Sequence, residues 1–404
     1  MFRKFIYWFS LLALLVIAGG YGFLRTKLPQ RSGEIILPGL NNKVDVVFDK
    51  WAIPHIEAEN ELDAYLALGY LHAQDRIFQM ELMIRVAQGR LSEMLGEAII
   101  DVDRYFRTLG IHRYAEKYAA DHFQKNPQRV QKALKAYLSG LNAFVASGAT
   151  PIEFTLLGIP KREYKIDDLV CIAAYMSYTF TNAVRQDPLI SHIHKTFGSS
   201  YLKDLAINWP VGDTQIKVSK NQSSEDLELA ALFSGMDNVL AQIPPFFGSN
   251  SWVVSGSRTK SGKVIFANDP HIGYAAPATW YEAHLKTPEW ELYGHHIAGI
   301  PFAILGHNRR MAWGVTMLQN DDLDYYREQA NPANPDQVWF RDHWEDLKII
   351  EETISIKGGD DISLRVRISR HGPIINDVLE SVEKTESHPV ALAWEMLADY
   401  ENST

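Results

Sequence analysis

Ser249 has the sequence surroundings of a nucleophile that a cut in the chain would expose. The chain reads Gly248-Ser249-Asn250-Ser251-Trp252 at this point, and cleavage of the Gly248–Ser249 bond would make Ser249 an N-terminus. A free α-amine has a pKa of about 7.7–8.0, whereas a lysine amine titrates near about 10.4. An N-terminal serine therefore carries its own general base. The pattern indicates acyl transfer by a serine, with a Ser/Asn-rich turn as the alternative for so short a motif.

The elements around Ser249 predict a hairpin that would hold the serine rigidly. Pro244-Pro245 favours an extended, exposed approach to the cleavage point. Residues 251–254 predict one strand, residues 259–262 a turn and residues 264–267 the partner strand. His271 follows shortly after the second strand, so we expect it to lie near the serine.

Short motifs precede and follow Ser249 in a fixed order. Those upstream are Ile53-Pro54-His55-Ile56, Asp63-Ala64, Gly69-Tyr70, His72-Ala73-Gln74-Asp75-Arg76, Gln79-Met80-Glu81 and Gly89-Arg90-Leu91-Ser92-Glu93. Those downstream are Asn268-Asp269-Pro270-His271, Ala298-Gly299-Ile300-Pro301, Gly306-His307-Asn308, Trp313-Gly314-Val315-Thr316, Asp321-Asp322-Leu323-Asp324 and Arg370-His371-Gly372-Pro373. From about residue 40 onward, the chain resembles the penicillin acylase family of N-terminal nucleophile hydrolases, which includes acyl-homoserine-lactone acylases. The resemblance implies an α+β fold of four αββα layers that hydrolyses a linear amide.

The resemblance also implies a set of catalytic roles. Ser249 would attack the amide after self-cleavage at Gly248–Ser249, His271 would orient the serine or a bridging water, and the backbone N–H of Met317 would bind the oxyanion. The family's second oxyanion donor is an asparagine further along than Thr404, where this chain ends. We therefore expect a chain truncated at its C-terminus, with an incomplete fold and little amidase activity by itself.

The resemblance further implies one calcium ion. Its ligands would be Asp321, the Leu323 carbonyl and Asp324, all hard oxygen donors of the kind calcium prefers. Gln186 stands where the family has a glutamate, which weakens the expected site. A solvated acidic turn is the alternative.

Four side chains correspond to acyl-pocket positions of the family: Met176, Phe180, Ile272 and Leu305. Penicillin G acylases have aromatic residues at the last two positions, whereas this chain has aliphatic ones. The difference predicts an alkyl acyl group rather than phenylacetyl. Ordinary core packing would explain the same four residues.

The chain divides into four predicted segments. Residues 1–30 are a signal peptide or membrane anchor, residues 31–217 a largely helical first chain, residues 218–248 a spacer, and residues 249–404 the start of a second chain that carries the nucleophile. The resemblance implies that the two processed chains remain together as a heterodimer.

The apolar stretch 5–24 is about long enough to span a bilayer, and Ala18-Gly19-Gly20 could equally be a cleavage region. The family resemblance implies that everything after residue 30 is exported to the periplasm, tethered to the inner membrane if the segment is kept. A catalytically silent, membrane-tethered relic that binds acyl ligands or nothing is the alternative to an enzyme.

Composition excludes several other classes of function. Of the 404 residues, 46% are hydrophobic and 22% charged, which suits a globular protein with a large core. The net charge of −9 argues against nucleic acid as a partner. Cys171, the only cysteine, lies in an apolar run that predicts a buried structural thiol. His295-His296 and His307 could suggest a metal site, but no second group of ligands lies at zinc-like spacing, so the sequence argues against zinc.

Overall fold

The computed structural model describes most of the chain on both sides of the predicted spacer. The described residues are 2–181, 190, 193–194, 196–204, 246–317, 322–378 and 388–397. Most of the predicted spacer, and the predicted metal ligands Gln186 and Asp321, lie outside them.

The described residues before 205 are mainly helical, and those after 245 are mainly strands. The longer helices are α1 (Phe2–Arg25), α2 (Glu61–Gln88), α3 (Ser92–Leu95), α4 (Ile100–Leu109), α5 (Ile111–Lys117), α6 (Gln128–Ser147), α7 (Ile152–Leu157), α8 (Ile166–Phe180) and α9 (Ser199–Asp204). The strands are β1 (Asp45–Phe48), β2 (Pro54–Glu57), β3 (Phe246–Val254), β4 (Ile265–Ile272), β5 (Trp280–Lys286), β6 (Glu291–Ile297), β7 (Leu305–Asn308), β8 (Ala312–Trp313), β9 (Leu323–Arg327), β10 (Ala330–Asn331), β11 (Asn334–Phe340), β12 (His343–Asp346), β13 (Lys348–Ile354), β14 (Ile362–Ser369), β15 (Gly372–Pro373) and β16 (Val390–Trp394).

The largest described sheet has the strand order β1-β2-β5-β6-β7-β8. Its neighbours pair antiparallel except β2 and β5, which run parallel and are joined by the long connection that parallel pairing requires. Alternate residues of β5 are buried, namely Tyr281, Ala283 and Leu285. This period of two places one apolar face of the sheet against α2 and α6.

Two glycines allow α2 and α6 to cross closely. A Cβ on Gly69 would clash with the carbonyl of Tyr137, and a Cβ on Gly140 would clash with the carbonyl of Leu66. The two backbones are therefore in contact at this crossing. Any larger residue at either glycine would force the helices apart.

The upstream motif that begins at His72 ties the helices to the sheet. The His72 Nδ1 lies 2.8 Å from the hydroxyl of Tyr137, which accepts a hydrogen bond of 3.0 Å from the Gly299 N–H. Tyr281 donates to Asp75 at 2.9 Å. Burial holds the pKa of His72 well below its usual value, so the ring is neutral. This part of the motif is structural.

A second core lies between α4, α5 and α8 on one side and β9, β13, β14 and β16 on the other. Cys171 on α8 is buried in it, as the sequence predicts, and burial raises the pKa of its thiol. A buried thiol of this kind is unreactive.

Glu352 on β13 connects the second core to the helices electrostatically. It forms an ion pair with Arg113 and another of 3.0 Å with Arg107, and its Oε1 lies 3.2 Å from the Nε2 of His112. Burial raises the pKa of Glu352, but the hydrogen bond from His112 and the two guanidinium charges outweigh burial and lower it to about 2. The carboxylate therefore stays ionised in the folded protein.

We expect Glu352→Gln to lower the free energy of unfolding by about 3 kcal/mol at pH 7, because it leaves two guanidinium groups without their counter-charge. A depressed carboxyl pKa stabilises the fold above the unfolded value near 4.5, and that contribution is lost as the pH falls towards about 2. Thermal unfolding should show a large difference between the variant and the wild type at pH 7 and a small one near pH 2.5. Glu351→Gln, whose side chain is 62% exposed on the same strand, is the control and should change little. A constant difference across this pH range would contradict the prediction.

The described residues place a layer of helices on one face of a sheet, together with several smaller sheets. The fold is thus mixed helix and sheet, and the predicted four-layer order stays a prediction. α1 lies outside both cores, with mainly exposed side chains, and within the described chain it alone is long and apolar enough to cross a bilayer.

Candidate functional site

The predicted hairpin exists, and it carries the candidate nucleophile. β3 pairs antiparallel with β4, so that Ser249 lies opposite Pro270 and Gly248 lies opposite His271. A bulge between Phe246 and Gly248 shifts the register just before the candidate cleavage point. Gly248 has φ +141°, a conformation that L side chains rarely adopt.

Side chains of the hairpin alternate between two faces. Because directly opposed residues share a face and neighbours along a strand do not, Ser249 shares its face with Asn268. Asn250, Asp269 and His271 share the other face. The register therefore divides the polar residues of the hairpin into two groups with different surroundings.

The structure brings Ser249 and Met317 together, as the sequence predicts. The Met317 backbone N–H donates a hydrogen bond of 2.8 Å to the Ser249 Oγ. Both residues are half-buried. A backbone donor thus points at the candidate nucleophile across the 68 residues that separate them in the chain.

By the register of the hairpin, the side chain of His271 shares a face with Asn250 rather than with Ser249. Its role in orienting the serine or a bridging water stays a prediction. The Nε2 of His271 is 3.0 Å from the Oδ2 of Asp269 and 3.3 Å from the Nδ2 of Asn250. Its Nδ1 faces Gly248, at 3.8 Å from where a Cβ on that glycine would lie.

Asn268 makes the contacts that join Met317's segment to the hairpin. Its Nδ2 donates to the carbonyls of Asn250 and Val315, both at 3.0 Å, and its Oδ1 accepts from the Val315 N–H at 2.9 Å. Gly314 lies directly against the amide, and a Cβ on it would clash with the Oδ1. Sequence reasoning quoted both residues within motifs and gave neither a role.

The four predicted pocket residues lie on three elements. Met176 and Phe180 are half-buried near the end of α8, and Met176 packs against both apolar cores. Ile272 ends β4, and Leu305 is buried on β7. The placements leave their role as an acyl pocket a prediction.

The predicted calcium ligands are described in part. Leu323 and Asp324 begin β9, where they pair with Trp394 and Ala393 of β16. The Thr181 hydroxyl donates to Asp322 at 3.2 Å, so the end of α8 lies against the residue before Leu323. Within the described ranges, no three His, Cys, Asp or Glu side chains converge as a metal site, His295 and His296 included. The predicted calcium ligands are all oxygen donors, which suit a hard cation.

The family model for penicillin amidase matches residues 43–404. The chain belongs to the penicillin amidase family. Within this family it is 28% identical over 381 residues to an acyl-homoserine lactone acylase, QuiP, of Pseudomonas aeruginosa, with 91% of this chain and 44% of the relative covered. It is 32% identical over 388 residues to a penicillin acylase 2 proenzyme of Pseudomonas sp. strain SE83, with 90% and 47% covered.

The chain thus spans about half the length of the curated penicillin amidase relatives it matches. A solved thermostable penicillin G acylase from Alcaligenes faecalis is 25% identical over 36% of this chain and 25% of its own, with a TM-score of 0.32. That superposition is too limited to establish a shared fold.

Proposed function

We propose that this chain is the nucleophile-bearing part of a self-processing acylase that hydrolyses linear N-acyl amides. The hydrogen bond from the Met317 N–H to the Ser249 Oγ carries the proposal, because it puts a backbone donor 2.8 Å from the candidate nucleophile, and we propose that this N–H binds the oxyanion formed there. Family membership supports the same reaction class. The fold we propose is the four-layer αββα arrangement of N-terminal nucleophile hydrolases.

Self-processing would begin at Gly248, whose φ of +141° is open to glycine but strained for other residues. The Ser249 Oγ attacks the Gly248 carbonyl carbon, the C–N bond breaks and the nitrogen takes up the hydroxyl proton, which leaves an ester between the two residues. Water then hydrolyses the ester and frees the α-amine of Ser249. We propose that the ring of His271, whose Nδ1 faces Gly248, helps the proton to move in this step.

Amide hydrolysis would follow with the new amine as general base. The α-amine takes the proton of the Ser249 hydroxyl, directly or through a water, while the Oγ attacks the substrate carbonyl. The Met317 N–H stabilises the negative oxygen, and the proton passes to the leaving amine. Water then hydrolyses the acyl-enzyme ester, and a carboxylic acid is released.

The exposed α1 supports export of the rest of the chain. We propose that α1 acts either as a signal sequence or as an anchor, with the folded part in the periplasm. The processed chains would remain together as a heterodimer, since α8 and β9 share one apolar core across the cleavage point.

Ser249→Ala should abolish cleavage of the Gly248–Ser249 bond in protein expressed from its complete gene, including any sequence after residue 404. Mass spectrometry of the wild type should find a fragment that begins Ser249-Asn250-Ser251. Ser251→Ala is the matched control, because Ser251 lies on the same face of the same strand and should still allow cleavage. An active wild-type enzyme with the bond intact would contradict the mechanism, and a protein that neither cleaves nor hydrolyses amides would favour the silent relic.

The acyl group we propose is a medium or long alkyl chain. Aliphatic Ile272 and Leu305 offer no flat aromatic wall, so kcat/KM should be higher for decanoyl than for phenylacetyl amides, including the amides of homoserine lactone. Leu305→Phe should shift the preference towards phenylacetyl by about 10-fold, in line with the 1–3 kcal/mol that small pocket changes produce. Leu292→Phe, buried on the neighbouring strand β6, controls for general overpacking. Unchanged relative preference in Leu305→Phe would exclude this residue from the pocket.

We propose that calcium binds where β9 begins, through Asp321, the Leu323 carbonyl, Asp324 and Gln186. When bound, the ion would link the segment after α8 to β9. EDTA should lower the melting temperature by several degrees, and calcium, but not magnesium, should restore it. Asp324→Asn should remove this effect, whereas Asp346→Asn on β12 should not. An EDTA effect that persists in Asp324→Asn would place the ion elsewhere.

A further inference from the structure

We infer that the Asn268 side chain is a positioning residue that sets the Met317 N–H against Ser249; the inference rests on the proposed function and deepens it. The residues 314–317 run beside β4 without forming a strand ladder with it. A side chain, rather than a backbone ladder, makes the described connection between them.

The Asn268 side-chain amide takes the place of a backbone peptide group in a strand pair. It donates to Val315 and accepts from Val315, as one strand residue does with its partner. Its second N–H binds the Asn250 carbonyl, one residue after the nucleophile. One planar group therefore links the backbone beside Ser249 to the backbone two residues before Met317.

The geometry leaves the amide little freedom. Three hydrogen bonds of 2.9–3.0 Å fix its orientation, and Gly314 closes the space beside the Oδ1. Because both amide hydrogens and the oxygen are used, an isosteric carboxylate cannot replace the amide. Asp at this position would turn an acceptor towards two carbonyl oxygens.

The contacts make Asn268 different in kind from a catalytic residue. Its bonds go to backbone groups of Asn250 and Val315, and its effect on the reaction passes through the Met317 N–H. A displaced oxyanion donor weakens transition-state binding much more than substrate binding. A change at Asn268 should therefore lower kcat and leave KM nearly constant.

The test compares Asn268→Asp and Asn268→Ala with the wild type, each expressed from the complete gene. We expect kcat for a decanoyl amide to fall by about 10²-fold, the lower limit for losing one oxyanion donor, with KM changed less than about 3-fold. Affinity for an alkyl boronic acid, which forms a tetrahedral adduct with the serine, should fall in parallel. Affinity for the product acid should not.

Asn142→Asp is the matched control for stability. Asn142 on α6 holds the Tyr164 backbone in the same way, through a donor and an acceptor bond of 2.9 Å each, and no described contact joins it to the hairpin. It should lower the melting temperature about as much as Asn268→Asp while kcat stays within about 2-fold. Gly314→Ala should reproduce the kcat loss, and Asn268→Ala/Gly314→Ala should show much less than the sum of the two effects, since both break one clamp.

Equal kcat and boronate affinity in wild type and Asn268→Asp would overturn the inference, whatever the melting temperatures show. Failure of the proposed function has a different signature, namely a wild type that hydrolyses none of the amides. In that case we would measure how fast phenylmethanesulfonyl fluoride labels Ser249, in place of kcat. The transition state of this sulfonylation also develops negative charge on an oxygen. Slower labelling of Asn268→Asp by 10-fold or more supports the inference, and equal rates or no labelling of the wild type refute it.

Discussion

The register between β3 and β4 is the constraint on which the whole candidate site depends. It places Ser249 and Asn268 on one face and Asn250, Asp269 and His271 on the other. A slip of one residue would exchange the two faces and turn the serine away from Met317. The unbroken ladder from the turn, where Val254 pairs with Ile265, sets that register, and the bond from Asn268 to the Asn250 carbonyl crosses the hairpin within it.

The helical layer supports the hairpin from a distance. The segment that leaves β4 reaches β5 through Ala278, whose carbonyl accepts hydrogen bonds from Arg76 at 2.9 Å and Gln79 at 3.2 Å on α2. The helix is itself held against α6 by the close crossing at Gly69. Motif residues upstream of the serine thus act as a rigid support for the strand opposite it.

The sequence predicts local features of this region well and spatial ones in part. The hairpin follows from alternation and turn residues, and the proximity of Met317 follows from family resemblance. The orientation of His271 could not be predicted, because proximity in a hairpin does not determine the face. The face depends on the register that the turn sets, which pairs Val254 with Ile265 and, through an unbroken ladder, Ser249 with Pro270.

The role of Asn268 was also beyond the sequence. Its partner Val315 is 47 residues away, and no periodic pattern connects an amide in a strand with a segment that has no regular structure. The sequence offers one weak signal for this contact, namely an asparagine on the same face as the serine together with a glycine at position 314. Neither residue is distinctive alone. The pocket and calcium residues lie on elements whose mutual placement depends on long-range packing in the same way.

The side-chain clamp has a consequence for motion. A ladder amide exchanges its hydrogen with water only when strands separate, whereas the Val315 N–H is released once a single side chain breaks its hydrogen bonds. We therefore expect the protection of Val315 to be lower than that of the amides in β5 and β6 and independent of global unfolding. Deuterium uptake at Val315 would then report directly on the backbone that presents Met317 to the serine.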